Sequence, residues 1–239
     1  EASVFRAGYP EDAEAVLLIE LEGLTGEVEE AAEAVRSAAV GEQTIGIEEA
    51  LDEEPRERLW RGRKGAFGAM GRIASDLYVL DAVVPRSKLS QAISGIQQIG
   101  RDQGVVLSNV FHAGDGNLHP NISFDANIPE ERAQVLKAGD AILKLCVALG
   151  GTLSGEHGIG LEKRDHMPLI FSPQQLETQR LLRTAVDPHG LANPGKILPA
   201  GRGCTESGFR NSDHLKRTES ILGLSEQKKR GVSGKETPL

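Results

Sequence analysis

The chain has 239 residues, a net charge of −8 at pH 7, 39% hydrophobic residues and 4% aromatics. This length suits one domain plus a tail, or two small domains, and the hydrophobic fraction supports a core built mainly of Leu, Ile, Val and Ala. The negative balance argues against nucleic acid as a partner, and no apolar run is long enough to cross a membrane.

The charge is uneven: residues 201–239 hold eight Lys/Arg and five Asp/Glu, so the tail carries +3 and the remainder −11. The two cysteines, Cys146 and Cys204, form no disulfide framework, which points to a cytosolic setting.

The elements read as follows in chain order. Residues 15–21 (Ala-Val-Leu-Leu-Ile-Glu-Leu) predict a strand closed by Gly23. Residues 25–38 predict a helix with Thr25 as its N-cap. Residues 44–47 predict a short strand, and 48–70 a helix interrupted at Pro55 and loosened by Gly62, Gly65 and Gly68. Residues 77–84 predict a strand ended by Pro85. In 87–103 the apolar positions Leu89, Ile93, Ile96 and Ile99 fall on one helical face. Strands at 105–111 and 120–124 flank a turn-rich stretch. Residues 129–149 predict a long helix with Pro129 in its first turn and Cys146 in the core. A short strand at 152–154 and a helix at 173–186 follow. Residues 200–239 read as a polar, basic, disordered tail, within which 207–224 has some helical pattern. The expected fold class is α+β: a ferredoxin-like antiparallel sheet with helices packed on one face, plus a C-terminal helical segment.

Two motifs carry chemistry. The first is His112-Ala113-Gly114-Asp115-Gly116-Asn117-Leu118-His119. If Gly114-Asp115-Gly116-Asn117 forms a hairpin loop, His112 faces His119 on one side of a sheet, with Cβ atoms about 5 Å apart. Asn121, two residues on, shares that side. The second motif is Gly155-Glu156-His157-Gly158. Two histidines and a carboxylate suit zinc, manganese or iron with coordination positions left open. His157 has no slot in that set and is free to act as an acid or base. The plainer alternatives are two satisfied histidines near a loop, and a helix-terminal carboxylate beside an exposed His.

These motifs, with the segments 60–72 (Trp-Arg-Gly-Arg-Lys-Gly-Ala-Phe-Gly-Ala-Met-Gly-Arg), 81–86 (Asp-Ala-Val-Val-Pro-Arg) and 193–197 (Asn-Pro-Gly-Lys-Ile), resemble the C-terminal half of FAD-linked 2-hydroxy-acid oxidoreductases. That family includes glycolate oxidase D subunits and flavin D-lactate dehydrogenases. Where the family commonly shows Pro-Asp-Tyr-Tyr, this chain has Ser75-Asp76-Leu77-Tyr78.

The resemblance covers roughly 13–199 and implies a substrate and metal domain over 1–199. It assigns His112, His119 and Glu156 to a divalent metal and His157 to proton removal. Arg63, with Arg72 as second candidate, would grip the substrate carboxylate, and Asn121 would bond the substrate or orient His119. Asn193 and Lys196 would contact the flavin. FAD would sit mostly on an N-terminal domain not found in this sequence, so the expectation is that the chain alone oxidises no 2-hydroxy acid. The resemblance further implies an iron–sulfur or second flavin subunit as partner, and a cytoplasmic location with membrane association through partner subunits. Two readings from other classes stand beside it: a metal-dependent hydrolase, and a non-catalytic remnant that binds a partner.

Overall fold

The structure, a computed structural model, describes residues 7–199. The tail and its expected helix at 207–224 lie outside the described residues. Helix α1 spans Thr25–Ala39 and α2 Glu53–Met70. Strands β1 (Asp76–Val79) and β2 (Ala82–Val83) lead through a 3-10 turn at Arg86–Lys88 into α3 (Leu89–Gln103). Strands β3 (Val106–Asn109), β4 (Asn117–Leu118) and β5 (Pro120–Phe124) follow, then α4 (Pro129–Ala148). A 3-10 stretch at Arg164–Leu169 and α5 (Pro173–Val186) complete it.

Local chemistry explains most boundaries. Pro129 opens α4, where a missing N–H costs nothing. Gly104 ends α3 in the left-handed region at φ 66°. Ser172 caps α5 by accepting from Gln175 N, while Gln175 Oε1 accepts from Ser172 N.

Helix α2 begins at Glu53 rather than at 48. Pro55 therefore falls in its first turn, where it interrupts nothing, and the glycines do not break the helix. The N-cap of α1 is Leu24, not Thr25; Glu27 Oε2 accepts from Leu24 N at 3.2 Å.

The sheet is antiparallel. Asp76 opposes Phe124 and Val79 opposes Asn121; Ala82 opposes Leu118 and Val83 opposes Asn117. All four pairs share one register, so β1 and β2 form a single line, interrupted at Leu80–Asp81, running along β5 and β4. Strand β3 lines the other side of β5, from Val106 opposite Ser123 to Asn109 opposite Pro120. Thr152 bridges Val83, all that forms of the expected strand at 152–154.

The hairpin register corrects one expectation. His112 opposes Asn117, not His119, and Val110 N donates to the His119 carbonyl at 3.3 Å. The loop is 113–116. Gly116 has φ 73°, and a Cβ there would run into the Val84 carbonyl. The pairing is displaced by two residues, an even number, so the side chains keep their faces. His112 and His119 are diagonal neighbours on one side.

The two faces differ sharply. Leu80, Ala82, Val84, Leu118, Ile122 and Phe124 project one way, onto Ala92 and Ile96 of α3 and Ala138, Ile142 and Cys146 of α4. Each large side chain so buried stabilises by roughly 1.5–3 kcal/mol. Burial pushes the Cys146 thiol up to about 11, so it stays an inert core residue. The opposite face carries Asp81, Asn117, His119, Asn121 and Ser123, all buried. On that face Ser108 Oγ donates to Met70 Sδ of α2 at 3.2 Å.

The strands expected at 15–21 and 44–47 do not form. A strand exists only where a neighbour takes its backbone bonds. Neither segment has such a neighbour among the described residues, and Leu17 and Ile45 are exposed.

Candidate metal centre

The polar face is organised by Pro120. Leu80 N donates to the Pro120 carbonyl at 2.9 Å. In an antiparallel pair residue 120 would return an N–H to the Leu80 carbonyl, but proline has none. That carbonyl takes a bond from His119 Nδ1 instead, at 3.2 Å. A carbonyl only accepts, so Nδ1 carries the proton, and Nε2 is the ring atom turned toward Glu156 Oε1, where a metal ion would take its lone pair. This is the arrangement a metal-binding imidazole needs.

Glu156 and His157 lie on the loop after Thr152. Glu156 Oε1 is 2.8 Å from His119 Nε2, and His157 Nε2 is 3.9 Å from the same oxygen. The His157 ring stacks on His119 with centroids 5.1 Å apart and planes at 15°. The His112 ring meets His119 edge to face at 5.6 Å. One donor atom each from His112, His119 and Glu156 lies within 4.8 Å of the others. Metal–nitrogen and metal–oxygen bonds of about 2.0–2.2 Å reach across such a space. His119 is buried, whereas His112 and Glu156 are exposed, so the centre is rooted on one side and open on the other. The donor set fits a divalent cation.

The loop is held from beneath by Asp81, fully buried at the break between β1 and β2. Its carboxylate accepts from the backbone N–H of Gly155, Glu156 and His157 at 3.0–3.3 Å and from Ser154 Oγ at 2.5 Å. Lys163 Nζ lies 3.1 Å away and also donates to the Asp81 carbonyl at 2.6 Å. Burial alone would raise the acid's pKa. The bonds from Ser154 and His157 N and the Lys163 charge outweigh that and hold it well below the usual carboxylate range. Gly155 allows close approach: a Cβ there would lie 2.7 Å from the Asn117 amide.

The other candidates occupy distinct positions. Asn121 is fully buried beside His119; its Nδ2 donates to the His119 carbonyl at 2.8 Å, and its Oδ1 has no partner among the described residues. Arg63 is half-buried on α2. It shares the helical stripe of Ala66 and Met70, and Met70 touches the polar sheet face through Ser108. Arg72 is exposed beyond the end of α2. Asn193 and Lys196 bond each other at 3.0 Å on an exposed loop. Arg183 fastens that loop through the Ala192, Asn193 and Lys196 carbonyls. Ile197 N donates to Gly160 O at 2.7 Å, which ties the loop to the segment following Glu156.

Sequence reasoning missed Asp81, Lys163 and Pro120 as structural supports. The one local signal is Pro120, a proline opening a central strand; nothing local marks Asp81 or Lys163, whose partnership spans 82 residues of sequence.

Comparison with known proteins matches residues 1–197 to the family described as FAD linked oxidases, C-terminal domain. The chain belongs to this family. The glycolate oxidase subunit GlcD of Escherichia coli K12 is 45% identical over 208 residues, covering 87% of this chain and 42% of that protein. GlcD of Bacillus subtilis is 32% identical over 193 residues, 81% of this chain and 41% of that protein. The D-lactate dehydrogenase of Archaeoglobus fulgidus is 31% identical over 187 residues, 78% and 40%. The chain thus spans about two fifths of the length of these relatives. Among the described residues, no helix of this FAD-linked oxidase domain is long and apolar enough to cross a membrane.

Proposed function

We propose that this domain binds a small 2-hydroxy acid, glycolate or D-lactate, at a divalent-metal centre of His112, His119 and Glu156, and that the whole protein oxidises it to the 2-oxo acid. One observation supports this most strongly. The three donor atoms lie within 4.8 Å of one another, and His119 Nδ1 is tied to a carbonyl so that Nε2 turns toward Glu156. The family's oxidase chemistry and its glycolate- and lactate-oxidising relatives favour this reading over the hydrolase and the non-catalytic remnant.

A bound divalent ion supplies a Lewis acid that lowers the pKa of the substrate hydroxyl, and bound FAD supplies the hydride acceptor. The chain's own residues do the rest. His157, stacked on His119 and half-exposed, takes the hydroxyl proton. The hydride leaves from the carbon that carried the hydroxyl. Arg63, with its planar fork, grips the carboxylate, and Arg72 is the second residue in that role. Asn121, fully buried with its Nδ2 on the His119 carbonyl, orients His119 rather than touching the substrate. Asn193 and Lys196 face the flavin, whose remaining contacts lie in a further domain. Relatives named as subunits support a complex; in this reading an iron–sulfur or second flavin subunit takes the electrons in a cytoplasmic assembly that associates with the membrane through partner subunits.

The test is to load the chain with Mn²⁺ or Zn²⁺ and titrate glycolate and D-lactate by calorimetry. Binding that requires the metal and weakens in Arg63→Met supports the reading. Binding unaffected by metal removal contradicts it.

A further inference from the structure

We infer that Asp81 is the positioning residue of this centre: its carboxylate, neutralised by Lys163, fixes the backbone of the loop that presents Glu156 and His157. The inference rests on the metal reading just given, and assigns a role to a residue that touches neither ion nor substrate there.

Asp81 faces the centre by register. Val79 opposes Asn121 and Ala82 opposes Leu118, which puts Asp81 opposite His119. From that place its carboxylate collects three successive backbone N–H groups, those of Gly155, Glu156 and His157. Successive N–H groups turned to one point form an anion nest, and here the anion is the protein's own. Ser154 Oγ extends the hold by donating to Asp81 Oδ2 and accepting from Gly158 N at 2.7 Å. Lys163 closes the far end of the same loop onto the same residue, with both its Nζ bonds on Asp81. Residues 154–163 therefore begin and end on Asp81.

The need for such a hold follows from the loop's composition. Gly155 and Gly158 bracket Glu156 and His157, and glycine leaves the backbone free to wander. The two side chains are about half exposed, so packing does not fix them. Ligands must nonetheless be kept within about 0.5 Å of a productive geometry. A buried ion pair is weak as a source of stability compared with apolar residues of like size. Its worth here is local: it leaves the Glu156 and His157 side chains as the parts of the loop that turn outward. The adjoining Leu80 carbonyl orients His119, so the dipeptide Leu80–Asp81 organises residues from two distant motifs.

The experiment compares the full chain with Asp81→Asn and Ser154→Ala. Cobalt(II) is titrated and followed by its visible absorption, while amide hydrogen exchange is measured on the metal-free chains. Asp81→Asn should raise the cobalt dissociation constant tenfold or more, the scale for losing an outer partner of a ligand. It should also speed exchange at Glu156 and His157 at least tenfold while the α4 amides keep their protection. Ser154→Ala should shift the same loop amides by a smaller factor, and it carries the test if Asp81→Asn does not fold. Unchanged exchange at Glu156 and His157 would overturn the inference, and so would protection lost equally throughout α4. If the parent chain takes up no cobalt, the metal reading fails, while the exchange measurement still decides the role of Asp81.

Discussion

Residues 76–169 and residues 7–51 both carry apolar runs, yet the first region is buried and the second is largely exposed. In the first region, Leu80, Leu118, Ile122 and Ile142 are fully buried or nearly so between the sheet and helices α3 and α4. In the second, α1 has no buried residue, and Leu17 is 67% and Leu51 90% exposed. The difference is partnership. The line of β1 and β2 has β4 and β5 to pair with, and its apolar face meets two helices. The run at 15–21 has the composition of a strand and no neighbour among the described residues to complete it. Hydrophobic alternation specifies a face; another element must supply what that face packs against.

The largest effect should come from cutting into the first region. Ile122→Ala should lower unfolding free energy in urea by about 2–5 kcal/mol, the range for a fully buried aliphatic side chain. Leu17→Ala should change it by no more than about 0.5 kcal/mol. Comparable losses at both sites would break the comparison.

Next comes the support of His119. Pro120→Ala introduces an N–H that competes for the Leu80 carbonyl and frees His119 Nδ1. The expected result is a divalent-ion affinity lowered roughly 10- to 100-fold with little change in urea midpoint. Retained affinity would show that the imidazole is oriented by other means.

Asp81 gives the acid limb. In the folded chain its pKa is depressed, whereas in the unfolded chain it returns to about 3.9. Its contribution to stability is therefore present above that value and is lost as pH falls through it toward the lower folded pKa. The decline in stability between about pH 5 and pH 2 should flatten in Asp81→Asn, by up to one proton's worth of slope. An unchanged slope would mean that the carboxylate does not titrate with folding.

The smallest expected change is at Gly155. Gly155→Ala sets a Cβ against the Asn117 amide, and should shift metal affinity a few-fold while leaving the α4 core intact.

Much of this was legible in the sequence. Helices α3, α4 and α5 follow from their apolar stripes, prolines and Ser172 cap. The residues His112, His119 and Glu156 were readable because glycine-rich turns bracket them, and the structure brings them together. The hairpin pairing was misjudged by two residues, since four consecutive turn-forming residues leave the loop boundary open. The even offset preserved the shared face. Asp81 was unreadable as a support because its partners lie more than seventy residues away. No local pattern announces which buried amides an acid will meet. Arg63 is named only through the family resemblance; the structure puts it half-buried on the α2 stripe of Ala66 and Met70.

In the proposed centre His112, His119 and Glu156 hold the metal while His157 handles the proton. The most direct measurement is metal content and affinity of the purified chain and two variants, by elemental analysis and zinc titration. The expected result is stoichiometric metal in the parent, metal reduced to background in His119→Ala, and content close to the parent's in His157→Ala. Equal loss of metal in the two variants would place His157 among the ligands and contradict the assignment.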